Sequence, residues 1–204
     1  MTDAARTTSD DIDYVRRLAE SGAHAPLLGG RFMAWWGGLL TVAYVLHHLA
    51  LTGRIGDGHS VFAIIWIGFS VLGGLGQFVL ARSRAGRPGA GSAGNRASRA
   101  AWIAAAGAIT SMVVGSAIAA SNGAGPATFD WSVPVAFAVY ASALLVTGTL
   151  ARSQVTIVAG VGALIMVGAF TALILWPDRY LLAAAGVALT VLIPGLLLVR
   201  AEPR

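Results

Sequence analysis

Apolar residues in this chain come in long unbroken runs, not in the alternating or three-to-four spacing of a water-facing fold. Six runs stand out, at 32–52, 61–81, 101–120, 132–151, 155–175 and 180–199, and none contains Asp, Glu, Lys or Arg. A helix rising about 1.5 Å per residue needs about 20 such residues to cross a hydrocarbon core. The pattern therefore predicts an all-α membrane protein, a bundle of six transmembrane helices over 31–200. A cytoplasmic N-terminal segment (1–30) precedes it, a flexible arginine-rich loop (82–99) interrupts it, and a short cytoplasmic tail (201–204) closes it.

The one amphipathic pattern lies at the start. In DDIDYVRRLAESG, Ile12, Val15, Leu18 and Ala19 fall on one helical face, and Thr8 or Ser9 is placed to cap. Asp10, Asp11 and Asp13 suit the positive N-terminal end of that helix. The acidic residues, and the length of the apolar run that follows, argue against a cleaved signal peptide. The expectation is an N-terminal amphipathic helix on the inner leaflet, or one that docks a cytoplasmic partner. Pro26 and Gly29–Gly30 allow the turn into the first span.

Charge then orients the bundle. All 14 basic residues are arginine, which with the abundant Ala and Gly points to a GC-rich bacterial genome. Twelve of them fall on one side of the predicted spans and only Arg54 and Arg179 on the other. Arginine accumulates in cytoplasmic loops, so both termini are expected inside a bacterial cytoplasmic (inner) membrane. The same rule accounts for the net charge of +5 without nucleic acid. Arg16, Arg17, Arg82, Arg84, Arg87, Arg96 and Arg99 are the candidate contacts for anionic phospholipid headgroups or a protein partner. Each contributes about 1 kcal/mol of attraction near an anionic leaflet. Trp35, Trp36, Trp102, Trp131 and Trp176 fall near span ends, as an aromatic belt requires.

The candidate chemistry is sparse. There is no cysteine, which excludes disulfides and thiolate metal sites. His47 and His48 adjoin near the outer end of the first span, with His59 in the following loop. Adjacent helical residues point about 100° apart, whereas two ligands to one metal from one helix need i, i+4 spacing. The pair cannot close a metal site alone; with His59, and Asp57, Asp130 or Asp178 brought near, an external metal or proton-sensing cluster is one reading. An interfacial pair that anchors the helix end is the other. No haem ligand pair, phosphate loop or nucleophile elbow is present, so no cofactor and no enzymatic activity is expected. The spans also lack the charged group that ion coupling usually requires at depth. Gly107, Ser111, Gly115 and Ala119 predict a smooth packing face on the third span, and Pro194 predicts a kink in the sixth.

AESGAHAPLLGGRFMAWWG and LIPGLLLVRAEPR resemble the two ends of small multi-pass inner-membrane proteins of alphaproteobacteria and related bacteria, a family with no assigned activity. That resemblance implies an acidic N-terminal helix, a Trp-bearing first span and, from the small transcriptional regulators beside such genes, a sensing or regulatory role. The segment GALIMVGAFTALILWPDRYLLAAAGVALTVLIPG also looks like part of six-span stress-associated membrane proteins. The expected function is a non-enzymatic regulatory or structural membrane component. The alternative is a passive channel or transporter for a small neutral solute.

Overall fold

The computed structural model of the chain describes residues 28–56, 58–84 and 91–201. The expected N-terminal helix with Arg16 and Arg17, and likewise Asp57 and Arg87, lie outside the described residues. The described chain is helical, with no strand among the described residues. It contains six helices long and apolar enough to cross a membrane. We number them α1 (Gly30–Leu51), α2 (His59–Arg84), α3 (Ala93–Ala119), α4 (Ser132–Leu150) and α5 (Gln154–Ala172), with the sixth span divided into α6 (Arg179–Val187) and α7 (Ile193–Ala201).

The core is built by four of the six. Met33, Leu40 and Tyr44 of α1 meet Val133, Phe137, Ala141 and Leu144 of α4, Ala159, Ala163 and Phe170 of α5, and Tyr180 and Val187 of α6. Phe137, Phe170, Leu144, Val133 and Val187 are each under 2% exposed, so large side chains fill the centre. Around this core α1 packs along α6 and α7, and α5 along both α4 and α6. The remaining two spans are peripheral: α2 packs on α1, and α3 packs on α4. Ile64, Ile67, Val71, Leu75 and Val79 of α2, and Ile103, Val114 and Ile118 of α3, are each more than half exposed. An apolar surface of that extent suits lipid and not water.

The closest helix contacts are made through glycine. A methyl group at Gly195 would stand 2.5 Å from the Ala34 amide nitrogen, and one at Gly37 would stand 2.7 Å from that of Leu192. Lacking that methyl, the first and last spans bring backbone against backbone. The α1–α2 contact is different: the Trp36 ring covers Gly73 and the Trp35 ring covers Gly76. Trp36 Nε1 also donates to Gln77 Oε1 at 2.9 Å. Trp36 is therefore a packing residue before it is a belt residue. Trp131, Trp176 and Trp35, each more than a third exposed, keep the belt character.

Three sequence expectations change. Within the arginine-rich stretch the described residues at its two ends are helical: α2 continues to Arg84, and α3 begins at Ala93. The early start has a local cause, since the Ser92 side chain caps the helix by accepting from the Asn95 amide at 3.3 Å. Arg96 and Arg99 thus lie on the first turns of α3, and Arg82 on the last turn of α2. Second, the small-residue face of the third span points outward. Gly107, Ser111 and Gly115 are exposed, and a methyl at either glycine would touch nothing within 4 Å. Composition marks a face that permits close packing; it does not say which face the chain uses. Third, the break before Pro194 is a wide π turn, Ala188–Leu192, and not a bare kink.

α1 and α4 end in the same way with different residues. The Arg54 amide reaches back to the Leu49 carbonyl (2.8 Å), with Gly53 at φ +68°. The Ser153 amide reaches back to the Gly148 carbonyl (2.9 Å), with Arg152 at φ +51°. Such a closure puts one residue in the left-handed region, where a side chain costs about 1 kcal/mol that glycine avoids.

Two outcomes follow for the purified protein in detergent. Gly195→Val removes the α1–α7 approach and lowers stability by at least about 2 kcal/mol, whereas Gly115→Val stays within about 0.5 kcal/mol; thermal unfolding reads both, and equal losses would refute the assignment of the close face. Arg152→Gly relieves the backbone at that turn and raises stability by about 0.5–1 kcal/mol, seen as a higher midpoint in the same assay.

Candidate functional site

At the end of the bundle away from the arginine-rich stretch, the packing of α1 against α6 gathers a cluster of ionisable and aromatic side chains. α1 ends there with Tyr44, His47 and His48, and α6 begins there with Arg179 and Tyr180, preceded by Asp178. α2 contributes Phe62 and Trp66 from its first two turns. Asp130 comes from the 3-10 turn Pro126–Trp131 that leads into α4.

The two histidines diverge as their adjacency requires. The His47 ring lies between Tyr180, at 4.0 Å between ring centres, and Phe62, at 4.7 Å. Trp66 Nε1 donates to His47 Nδ1 at 3.0 Å. Indole nitrogen is a donor only, so this bond requires a lone pair on Nδ1 and places any neutral-state proton on Nε2. His48 turns the other way and is buried, with Nε2 3.6 Å from an oxygen of the half-exposed Asp178. Its Nδ1 is buried without a hydrogen-bond partner.

Near His47 lies a mostly buried ion pair. Arg179 donates to Asp130 at 3.1 Å, with the two side chains 20% and 17% exposed. The Tyr180 hydroxyl donates to the other Asp130 oxygen. Asp130 therefore accepts from both residues that open α6, which fixes the start of that helix against the turn before α4. Tyr180 also packs on Tyr44 and on Phe170, which joins the polar cluster to the apolar core.

Of the metal-candidate histidines, His47 and His48 are not drawn onto one point. His47 Nδ1 is occupied by Trp66, and His48 faces Asp178 alone. Among the described residues, no three His, Asp or Glu side chains come together as a metal set. His59 opens α2, and its side chain lies outside those described. At the opposite end, Arg82, Arg96 and Arg99 are exposed. The Arg82 guanidinium lies over the Phe78 ring at 4.1 Å, and Arg96 donates to the Gly91 carbonyl at 2.8 Å. Arg84 closes α2, and its side chain is outside the described set. The same end holds a second cross-tie, with Asn95 buried and its Oδ1 accepting from the Leu28 amide at 3.1 Å.

Sequence reasoning singled out the histidines and placed Asp130 and Asp178 within reach. It missed Arg179, Tyr180 and Trp66 as their partners. A signal existed: Arg179 is one of only two arginines on the charge-poor side, and Asp130 is one of the few acids there. Opposite charges stranded at one low-dielectric boundary pair readily.

No protein-family model, no curated protein and no solved structure matches this chain.

The ion pair gives a ranked outcome. Asp130→Asn leaves Arg179 without a counter-charge and lowers stability by about 1–3 kcal/mol. Asp178→Asn, at a half-exposed position, changes it by less than about 1 kcal/mol. Thermal unfolding of the two variants side by side checks the order, and a larger loss for Asp178→Asn would contradict it.

Proposed function

We propose that this chain is a non-enzymatic, multi-pass component of a bacterial cytoplasmic membrane, of regulatory or structural kind, with both termini inside. In this reading the bundle holds the N-terminal segment and the arginines Arg82, Arg96 and Arg99 at the inner leaflet. There they meet anionic headgroups or a cytoplasmic protein partner. The observation that carries it is the filled centre. Phe137, Phe170, Leu144, Val133 and Val187 are almost wholly buried, and the charged side chains of the described residues lie at helix ends.

A solute path would call for polar groups facing a shared lumen. Four hydroxyls inside the spans are instead returned to their own helices. Thr41 donates to the Gly37 carbonyl, Ser70 to that of Trp66, Ser142 to that of Ala138 and Thr190 to that of Gly186, all at 2.7–3.0 Å. A filled bundle with polarised ends fits a scaffold better than a conduit. The arginines suit an acidic partner surface, since guanidinium groups bind carboxylate and phosphate in a fixed fork. The sensing or regulatory role implied by the resemblance of the chain ends agrees with this reading.

Deleting residues 1–24 tests it. Affinity recovery from solubilised membranes should yield a stoichiometric cytoplasmic partner with the full chain and lose it with the deletion, while both forms remain in the membrane fraction. Equal recovery from the two, or solute flux through proteoliposomes of the full chain, would count against the scaffold.

A further inference from the structure

We infer that the acidic run near the start of the chain, Asp10, Asp11 and Asp13, docks within the same molecule on Arg96 and Arg99 at the start of α3. It thereby occupies arginines that would otherwise take an outside anion. This deepens the reading above, in which these arginines bind acidic groups, by naming the group that holds two of them.

Acidic residues are distributed unevenly along the chain. Of the nine Asp and Glu, five fall in residues 1–27, and three, Asp57, Asp130 and Asp178, belong to the opposite side of the predicted spans. On the arginine side, the bundle and tail carry nine arginines and a single acid, Glu202. Among the described residues, no carboxylate pairs with Arg82, Arg96 or Arg99. The one dense run of carboxylates that the chain can offer them is DDID at 10–13, three acids in four residues with no base.

The chain joins the fold beside the same two arginines. Leu28, only 6% exposed, donates its amide to Oδ1 of the buried Asn95. Arg96 is the next residue of α3 and Arg99 lies one turn further on, both exposed. Asp13 is fifteen residues before Leu28. A connector of that length spans about 20 Å even as random coil, whereas one helical turn advances about 5.4 Å. The tether holds the acids near the arginines at an effective concentration in the millimolar range, so that individually weak surface pairs add up to a persistent contact.

The start of α3 also calls for an anion. Its first turn carries no acid, and Arg96 and Arg99 follow within two turns of the positive end of the helix dipole. Carboxylates there offset both the guanidinium charges and the helix end. Arg96 uses one donor on the Gly91 carbonyl at 2.8 Å, which leaves the rest of its guanidinium for a second acceptor. Arg96 and Arg99 stand three residues apart, on one face of the helix. The helix expected from the sequence gives Asp10 and Asp13 the same spacing, which sets two guanidinium forks against two carboxylates.

The chain has no lysine, so Arg99→Lys, at an exposed position, installs the only side-chain amine. A carbodiimide joins that amine to a carboxylate in contact with it, with loss of water, and peptide mass spectrometry names the acid. The full chain is reconstituted in phosphatidylcholine vesicles from a mixture of isotope-labelled and unlabelled protein, which separates links within one molecule from links between two. The expected product joins the new amine to Asp10, Asp11 or Asp13 of the same molecule. Its yield should fall at least about fivefold between about 0.1 M and about 1 M salt, as the screening length shortens from about 10 Å to about 3 Å. Arg96→Lys should give the same partners, and serves alone if the first variant does not fold. The link should persist when anionic phosphatidylglycerol is added to the vesicles. Its loss on that addition gives the two arginines to headgroups, which overturns the contact within the chain and leaves the function proposed above in place. A product joined only to an acid outside 10–13 or to another molecule, an unlinked amine in both variants, or a yield indifferent to salt overturns it as well.

Discussion

The contact on which the arrangement depends is the backbone approach between the first and last spans. Hydrocarbon offers helices no hydrophobic reason to associate, so attraction has to come from close atomic packing. Gly37 and Gly195 permit it by letting α1 reach the backbone of Leu192 and Ala34 that of α7. Pairing first with last has a geometric result. α1 and the sixth span run in opposite directions, so the C-terminal turn of one meets the N-terminal turn of the other. That is where His48 faces Asp178 and where the His47 ring lies on Tyr180. The polar end of the molecule is thus a product of apolar packing further down the same two helices.

The same pairing explains why α2 and α3 are peripheral. With α1 committed to α6 and α7 on one face, α2 is left to pack on another, and it does so by inserting two indole rings over glycines. α3 follows α2 in sequence yet packs on α4, closed by the reciprocal Ser116–Thr128 bonds at 3.1 and 3.2 Å. Thr41, Ser70, Ser142 and Thr190 inside the spans are satisfied locally, as a low-dielectric surrounding favours, by bonds to the carbonyl one turn earlier. At helix ends the Asp130–Arg179–Tyr180 network and Asn95 tie separate elements together.

The number and positions of the six apolar helices were legible because their signal is length plus the absence of charge, and neither depends on partners. Boundaries were less legible. The cap at Ser92 extends α3 eight residues before the apolar run begins, because Ala and Arg form helix as readily as apolar residues do. Contact faces were not legible from glycine alone. Gly73 and Gly76 are used, whereas Gly107 and Gly115 have the same chemistry and touch nothing. A small residue states that close approach is possible, while the partner is chosen by the whole bundle. In the site, the histidines and acids stood out as rare polar residues. Tyr180 and Trp66 did not, because an aromatic residue at a span end already has an interfacial explanation, and only the fold reveals that each aims its polar atom inward.

The sixth span shows how a local defect and a global contact reinforce each other. Pro194 has no amide hydrogen and its ring crowds the carbonyl one turn before it, so a regular helix cannot pass through this point unchanged. The chain answers with a π turn over Ala188–Leu192, in which the Ile193 amide bonds the Ala188 carbonyl five residues back. The wider turn lies directly before the proline, and its last residue, Leu192, is the one whose backbone meets Gly37. Gly195, next after the proline, meets Ala34 one turn further along α1. Break and closest approach coincide because a helix that must change direction can follow its neighbour there, and because glycine on either side keeps the changed path free of side chains. Pro194 is therefore better understood as the means by which the last span stays against the first than as a gate.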